Sequence, residues 1–198
     1  MIVQLNGKIE HKTSTEVVIE CGGVGYSAMI SVNTSEKLPT VGENAKLLTL
    51  LIPREDAMLL FGFADEAERN AFRLLTTVSG IGPKIALGIL SSVTPGELAR
   101  FIIGGNLSSL KKMPGVGTKT AERLILELKE KMVSLSSETG TKDDISFLIK
   151  QEALAALTTL GFSRMQAEKA LNIAVENQSS RSFSAEELIK TALKYARQ

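Results

Sequence analysis

The chain has 198 residues, 43% of them hydrophobic, with 23 Lys/Arg against 22 Asp/Glu for a net charge of +1. That length leaves room for one large domain or two to three small ones of ordinary globular composition. Cys21 is the only cysteine, which excludes a disulfide framework and a cysteine-based metal site.

No apolar run is long enough to span a bilayer. The opening Met1-Ile2-Val3-Gln4-Leu5-Asn6-Gly7-Lys8 lacks the basic region and long apolar core of a signal peptide. A reducing cytoplasm is the expected compartment, no membrane partner is expected, and Cys21 reads as a buried strand residue.

Residues 1–64 read as all-β. Ile2–Ile9, Glu16–Cys21, Gly25–Val32, Ala45–Ile52 and Ala57–Phe63 are short Val/Ile/Leu-rich runs separated by turn residues. Gly22-Gly23-Val24-Gly25 is a tight reversal and 38–44 a loop. Five strands in this length predict a small closed barrel of the oligonucleotide-binding (OB) type. Its only aromatics, Tyr26, Phe61 and Phe63, read as core rather than as a base-stacking platform. Pro53-Arg54-Glu55-Asp56 joins the last two strands. Glu55 and Asp56 fit a solvated turn, half of a metal-dependent nuclease site, or a negative pin that repels phosphate, and the residues alone do not choose.

From Asp65 the period becomes helical, with Ala67, Ala71, Phe72, Leu74, Leu75 and Val78 on one face and Glu66, Glu68, Arg69 and Arg73 for the other. The stretch that follows says one thing twice. Val78-Ser79-Gly80-Ile81-Gly82-Pro83-Lys84-Ile85-Ala86 recurs 35 positions later as Met113-Pro114-Gly115-Val116-Gly117-Thr118-Lys119-Thr120-Ala121. Such an offset repeat signals a duplicated supersecondary unit. Glycines allow positive φ and close backbone approach, while Ile81 and Val116 can anchor each turn in the core. Pro83 and Thr118 suit a helix start. Free amides there, with Lys84 or Lys119 beside them, make a seat for one phosphate. Between the copies, Thr94-Pro95-Gly96-Glu97 opens a helix that Gly104-Gly105-Asn106 ends, and a longer helix runs from Thr118 to about Met132.

This is the helix-hairpin-helix pattern, a clamp for nucleic-acid backbone; a single copy often only joins helices. The charge follows it. Residues 1–64 carry −2, residues 65–133 +3 and residues 134–198 zero. Within 78–123 Lys84, Arg100, Lys111, Lys112, Lys119 and Arg123 stand against only Glu97 and Glu122, as a phosphate-binding face requires.

Residues 134–146 are small and polar and read as a flexible linker. Residues 147–198 then give three short helices. Leu154, Leu157 and Leu160 share one face and Gly161-Phe162 ends the first. Ser163 caps the second, which carries Met165, Ala167, Leu171 and Ala174. Ser184 and Glu187 have capping-box spacing before Leu188, Ile189, Ala192 and Leu193. A tethered module with so small a core suits docking better than catalysis.

Catalytic signatures are missing. There is no phosphate loop for ATP and no serine elbow, and His11 is the only histidine. No catalytic residue, cofactor or metal is expected, and the chain reads as a binding protein. A structure-specific nuclease or glycosylase, or a general DNA adaptor, are the competing readings.

A five-stranded barrel, tandem hairpins and a tethered three-helix module, in this order, resemble the RuvA family of bacterial Holliday-junction branch-migration proteins over essentially the whole chain. The motifs that carry the likeness are Gly23-Val24-Gly25-Tyr26, Arg54-Glu55-Asp56-Ala57, Gly80-Ile81-Gly82-Pro83-Lys84 and Pro114-Gly115-Val116-Gly117-Thr118-Lys119-Thr120-Ala121-Glu122-Arg123-Leu124. The resemblance implies an α+β multidomain chain. It divides into an OB-fold barrel at 1–64, a tandem helix-hairpin-helix domain at 65–133, a linker at 134–146 and a UBA-like three-helix module at 147–198.

It further implies a homotetramer, single or paired around DNA, that binds four-way junction DNA in recombination and repair. Its expected partners are the hexameric ATPase RuvB and the junction-resolving endonuclease RuvC. The family's DNA contacts fall on Gly80, Gly82, Lys84, Gly115, Gly117, Thr118, Lys119 and Arg123. Its acidic pin falls on Glu55 and Asp56, and its motor-docking surface on Leu157, Leu160, Phe162 and Leu193. Ser79 stands where relatives often have Asn, and the linker is short.

Overall fold

The computed structural model describes residues 1–55, 57–139, 142–176 and 185–196. The chain forms two compact units, Met1–Lys131 and Met132–Gln198.

Five strands open the first unit: β1 (Gln4–Lys12), β2 (Glu16–Cys21), β3 (Val24–Ile30), β4 (Asn44–Pro53) and β5 (Met58–Phe63). They close into a barrel in the order β1-β2-β3-β5-β4, with β1 pairing back onto β4. All pairs are antiparallel except β3 with β5. Closure removes the unpaired edges that an open five-stranded sheet would expose. β1 serves two neighbours: Gln4–Lys8 pairs with β4 and Lys8–Lys12 with β2, the latter register shifting between Ile9 and His11. Leu5 and Ile9 share the inward face and are buried, and the register shift after Ile9 breaks the alternation, so His11 is exposed. Phe61 and Phe63 are fully buried and Tyr26 packs, half-buried, against the barrel core, so none of the three is presented as an open stacking platform. Cys21, expected buried, lies at the end of β2 and is only half-buried.

One element was not foreseen. Helix α1 (Val32–Lys37) fills the step between β3 and β4, with Ser31 accepting from the Thr34 amide as its N-cap. Its six residues are too few to show a helical period.

The helices of the first unit are α2 (Glu66–Thr77), α3 (Pro83–Ser92), α4 (Pro95–Ile103), the short α5 (Leu107–Leu110) and the start of α6 (Thr118–Thr139). Asp65 caps α2 by accepting from the Glu68 amide. Thr94 and Glu97 form the reciprocal capping box that opens α4. These helices are packed onto the barrel. Phe72 of α2 meets Phe61 and Phe63 of β5 with ring centroids 5.0 Å apart in each pair. Asn33 Nδ2 of α1 donates to the carbonyls of Leu90 (2.6 Å) and Val93 (3.1 Å), satisfying the end of α3. The Val32 amide donates to Ser91 Oγ.

Glu68 corrects the sequence reading. Expected on the polar face of α2, it is 1% exposed. Ser31 Oγ and Thr34 Oγ1 of the barrel side donate to its two carboxylate oxygens, and the Ala64 amide donates to Thr34 Oγ1. A buried carboxylate is tolerated because each oxygen is satisfied.

The second unit contains α7 (Lys142–Thr159), α8 (Arg164–Glu176) and α9 (Ala185–Ala196). Ala153, Leu154, Leu157, Ala167, Ala170, Leu171, Ala174, Leu188 and Ala192 form its core. Ser163 and Gln166 exchange hydrogen bonds at the start of α8. Ser184, the expected cap of α9, lies outside the described residues. The stretch 134–146, expected to be irregular, is helical at 134–139 and again from Lys142. Extending a helix already nucleated over 118–133 costs little per residue, so weak local preference does not stop it.

Candidate nucleic-acid interface

The duplicated corners are built alike. After α2, the Ile81 amide donates to the Val78 carbonyl at 3.0 Å; after α5, the Val116 amide donates to the Met113 carbonyl at 3.2 Å. Gly80 has φ +92° and Gly115 φ +73°, the left-handed region that side chains resist. Ile81 and Val116 are buried and anchor the turns. The second glycine of each corner then starts a helix: the Gly82 carbonyl accepts from Ala86 N and the Gly117 carbonyl from Ala121 N, both at 2.9 Å. Ala86 and Ala121 are fully buried.

The residues expected to contact DNA face out. Gly80, Gly82, Gly115, Gly117, Thr118, Lys84, Lys119 and Arg123 are all exposed. Nothing lies within 4 Å of the space a side chain would take at Gly80, Gly82 or Gly117, so an incoming backbone can approach each turn. The first amides of α3 and α6 have no intrahelical acceptor and carry the positive end of the helix dipole. Among the described residues Lys84, Lys119 and Arg123 form no salt bridge, which leaves their charge available.

The corners also touch each other's helices. A Cβ built on Gly115 would stand 3.2 Å from Ile85 Cγ2 on the first turn of α3. Arg123 Nη1, on α6, donates to the Ser79 carbonyl beside Gly80 at 3.4 Å. Arg123 therefore places its charge at the first corner although it follows the second in sequence, which spacing alone does not reveal.

Lys84 also borders a groove of about 320 Å³ between the barrel and α3, with Thr15, Glu16, Met29, Leu87 and Ser91 among its walls.

The acidic tip is a hairpin. Pro53 pairs with Met58, and the Arg54 amide donates to the Ala57 carbonyl at 2.8 Å. Glu55 is exposed; Asp56 lies outside the described residues. Among the described residues no three His, Cys, Asp or Glu side chains gather as a metal site, and no single helix is long and apolar enough to cross a membrane.

The four expected docking residues of the second unit separate. Leu157 is fully buried and holds the three helices together, which corrects its assignment to a surface. A helix shows its apolar stripe to its own core first, and a three-helix module has little else to fill one. Phe162 and Leu193 are half-buried against that core. Leu160, just past α7, is 61% exposed, and Met165 is exposed beside it in sequence.

Comparison with known proteins agrees with this arrangement. The RuvA N terminal domain matches residues 1–62, the SAM-like helix-hairpin-helix tandem residues 72–130 and the RuvA C-terminal domain residues 149–196. Among curated relatives, proteins named Holliday junction branch migration complex subunit RuvA are similar nearly end to end. That of Cytophaga hutchinsonii is 43% identical, covering 98% of this chain and 99% of the relative. Those of Flavobacterium psychrophilum and Rubrobacter xylanophilus are 42% and 41% identical, each over 98% of this chain and over 99% and 97% of the relative. With a closed five-stranded barrel, paired corners and a C-terminal helical module in this order, the chain belongs to the RuvA family.

Proposed function

We propose that this chain is the non-catalytic DNA-binding subunit of a Holliday-junction branch-migration complex. One observation carries the reading: two exposed glycine corners share one backbone conformation, and each is followed by a lysine in the same slot. Such a site neutralises phosphates and leaves base edges unread, so binding is independent of sequence and sensitive to salt. That suits a protein through which DNA must slide.

In this reading residues 1–64 carry the pin, 65–133 grip duplex backbone and 147–198 dock the motor. A homotetramer would give each junction arm one pair of corners. Glu55 and Asp56, on a hairpin tip, would oppose the converging strands and favour an open, square junction, with water and counterions moderating the repulsion. The exposed Leu160, with the edges of Phe162 and Leu193, would meet the hexameric ATPase RuvB, and the endonuclease RuvC would act on the junction so held.

Competition of a four-way junction against linear duplex of matched length, at fixed salt, tests this. A marked preference for the junction is expected, and equal affinity would reject the reading in favour of a general adaptor. Cleavage of labelled junction by the pure protein with magnesium would instead establish a nuclease.

A further inference from the structure

We propose that Lys111 and Lys112 form an additional phosphate contact belonging to the second corner alone, so that the duplicated unit grips a nucleic-acid backbone unevenly. This rests on reading the corners as phosphate seats.

The 35-residue offset sets Lys111 against Thr76 and Lys112 against Thr77. In the first copy both hydroxyls are committed to their own helix. Thr76 Oγ1 donates to the Phe72 and Arg73 carbonyls at 3.0 and 2.9 Å, and Thr77 Oγ1 donates to the Leu74 carbonyl at 2.7 Å. In the second copy two lysines replace them, both exposed and neither in a salt bridge among the described residues. Between Glu97 and Glu122 the sequence has no acidic residue.

Their position follows from the turn. The Val116 amide on the Met113 carbonyl closes it, folding Lys112 back toward Gly117 and the start of α6. Leu110 and Met113, both buried, pin the segment on either side and leave the two lysines toward solvent.

Two further differences favour the second corner. Pro83 has no amide to offer where Thr118 has one. Lys84 shares its groove with the carboxylate of Glu16. Lys119 has Glu122 one turn along α6, so Lys111 and Lys112 are the corner's two cations without an acidic neighbour in sequence. The second corner thus holds a longer run of one strand, and the first acts as the lighter guide.

The test uses the full chain with Lys111→Gln and Lys112→Gln together, binding a four-way junction across a salt series. Affinity should fall, and the slope of log K against log salt should become shallower by about two units, one per lysine. The pair Lys111→Arg and Lys112→Arg should restore the slope, which a purely structural role would not require. An unchanged slope and affinity, alongside a Lys119→Ala control that lowers both, overturns this inference and leaves the corner reading standing. If the control is also silent, both fail.

Discussion

Arg123 of α6 donates from Nη1 to the backbone carbonyl of Ser79, joining the two copies of the corner across 44 residues of sequence. Gly115 returns the contact by lying against Ile85 of α3. Each corner is thereby braced by the helix that follows the other. This fixes the spacing of the two corners more firmly than two independent loops would.

Three cations, Lys84, Lys119 and Arg123, share the two corners. Lys119→Ala should weaken binding to every DNA sequence alike and make the salt slope shallower by about one unit. Because Arg123 serves the first corner with Lys84, Lys84→Ala and Arg123→Ala should be non-additive. Lys84→Ala and Lys119→Ala, one at each corner, should add within about 0.5 kcal/mol. A double-mutant cycle on junction affinity checks both, and strict additivity everywhere would refute shared occupancy of the first corner.

Glycines at equivalent-looking places should behave differently. Gly115→Ala forces a side chain to φ +73° against Ile85, and should cost stability by about 1–2 kcal/mol from the backbone alone. Gly82 has φ −81° and open space around it, so Gly82→Ala should cost less stability, only the weaker fitness of Ala for the N-cap of α3. Its methyl group instead stands where DNA backbone would approach, and junction affinity should drop. Equal stability losses for the two variants would contradict this.

Phe72 ties helices to barrel. Phe72→Ala removes a fully buried ring from contact with Phe61 and Phe63, and should cost about 3–5 kcal/mol in urea unfolding. A loss below about 1 kcal/mol would mean the cavity collapses and the aromatic cluster is not the link described.

Asp65 sets a pH dependence. Burial pushes its carboxyl upward, but the Lys37 ammonium at 2.7 Å and the amides of Glu68 and Ala67 outweigh that and hold it below the ordinary value. Its contribution is therefore present at neutral pH and disappears as pH falls through the lowered pKa. Asp65→Ala should cost about 1 kcal/mol at pH 7, as for a lost N-cap. The gap between wild type and variant should narrow below about pH 4, where an ordinary aspartate takes up its proton. Urea unfolding at several pH values reads it; a gap that widens on acidification would reverse the sign.

The acidic tip should act on the junction and leave the grip alone. Glu55→Gln with Asp56→Asn should leave four-way junction affinity unchanged or tighter, while altering branch migration by the assembled complex. Loss of binding would make these carboxylates ligands or structural groups.

The amino-acid pattern by itself determined the five strands to within a few residues, the OB-type barrel, the duplicated corners and the Asp65, Thr94 and Ser163 helix starts. Those are local matters: turn glycines, cap hydroxyls and apolar periods act over a few residues and are written in order along the chain. Burial of Glu68 against Ser31 and Thr34, the fitting of α1 between barrel and α3, Leu157 as core rather than surface, and the reach of Arg123 to the first corner were decided only by the tertiary structure. Each depends on groups brought together from distant positions, and a side chain's partner across space has no signature in its own neighbourhood. A polar residue reads as solvent-facing until a second element supplies the donors that make its burial affordable.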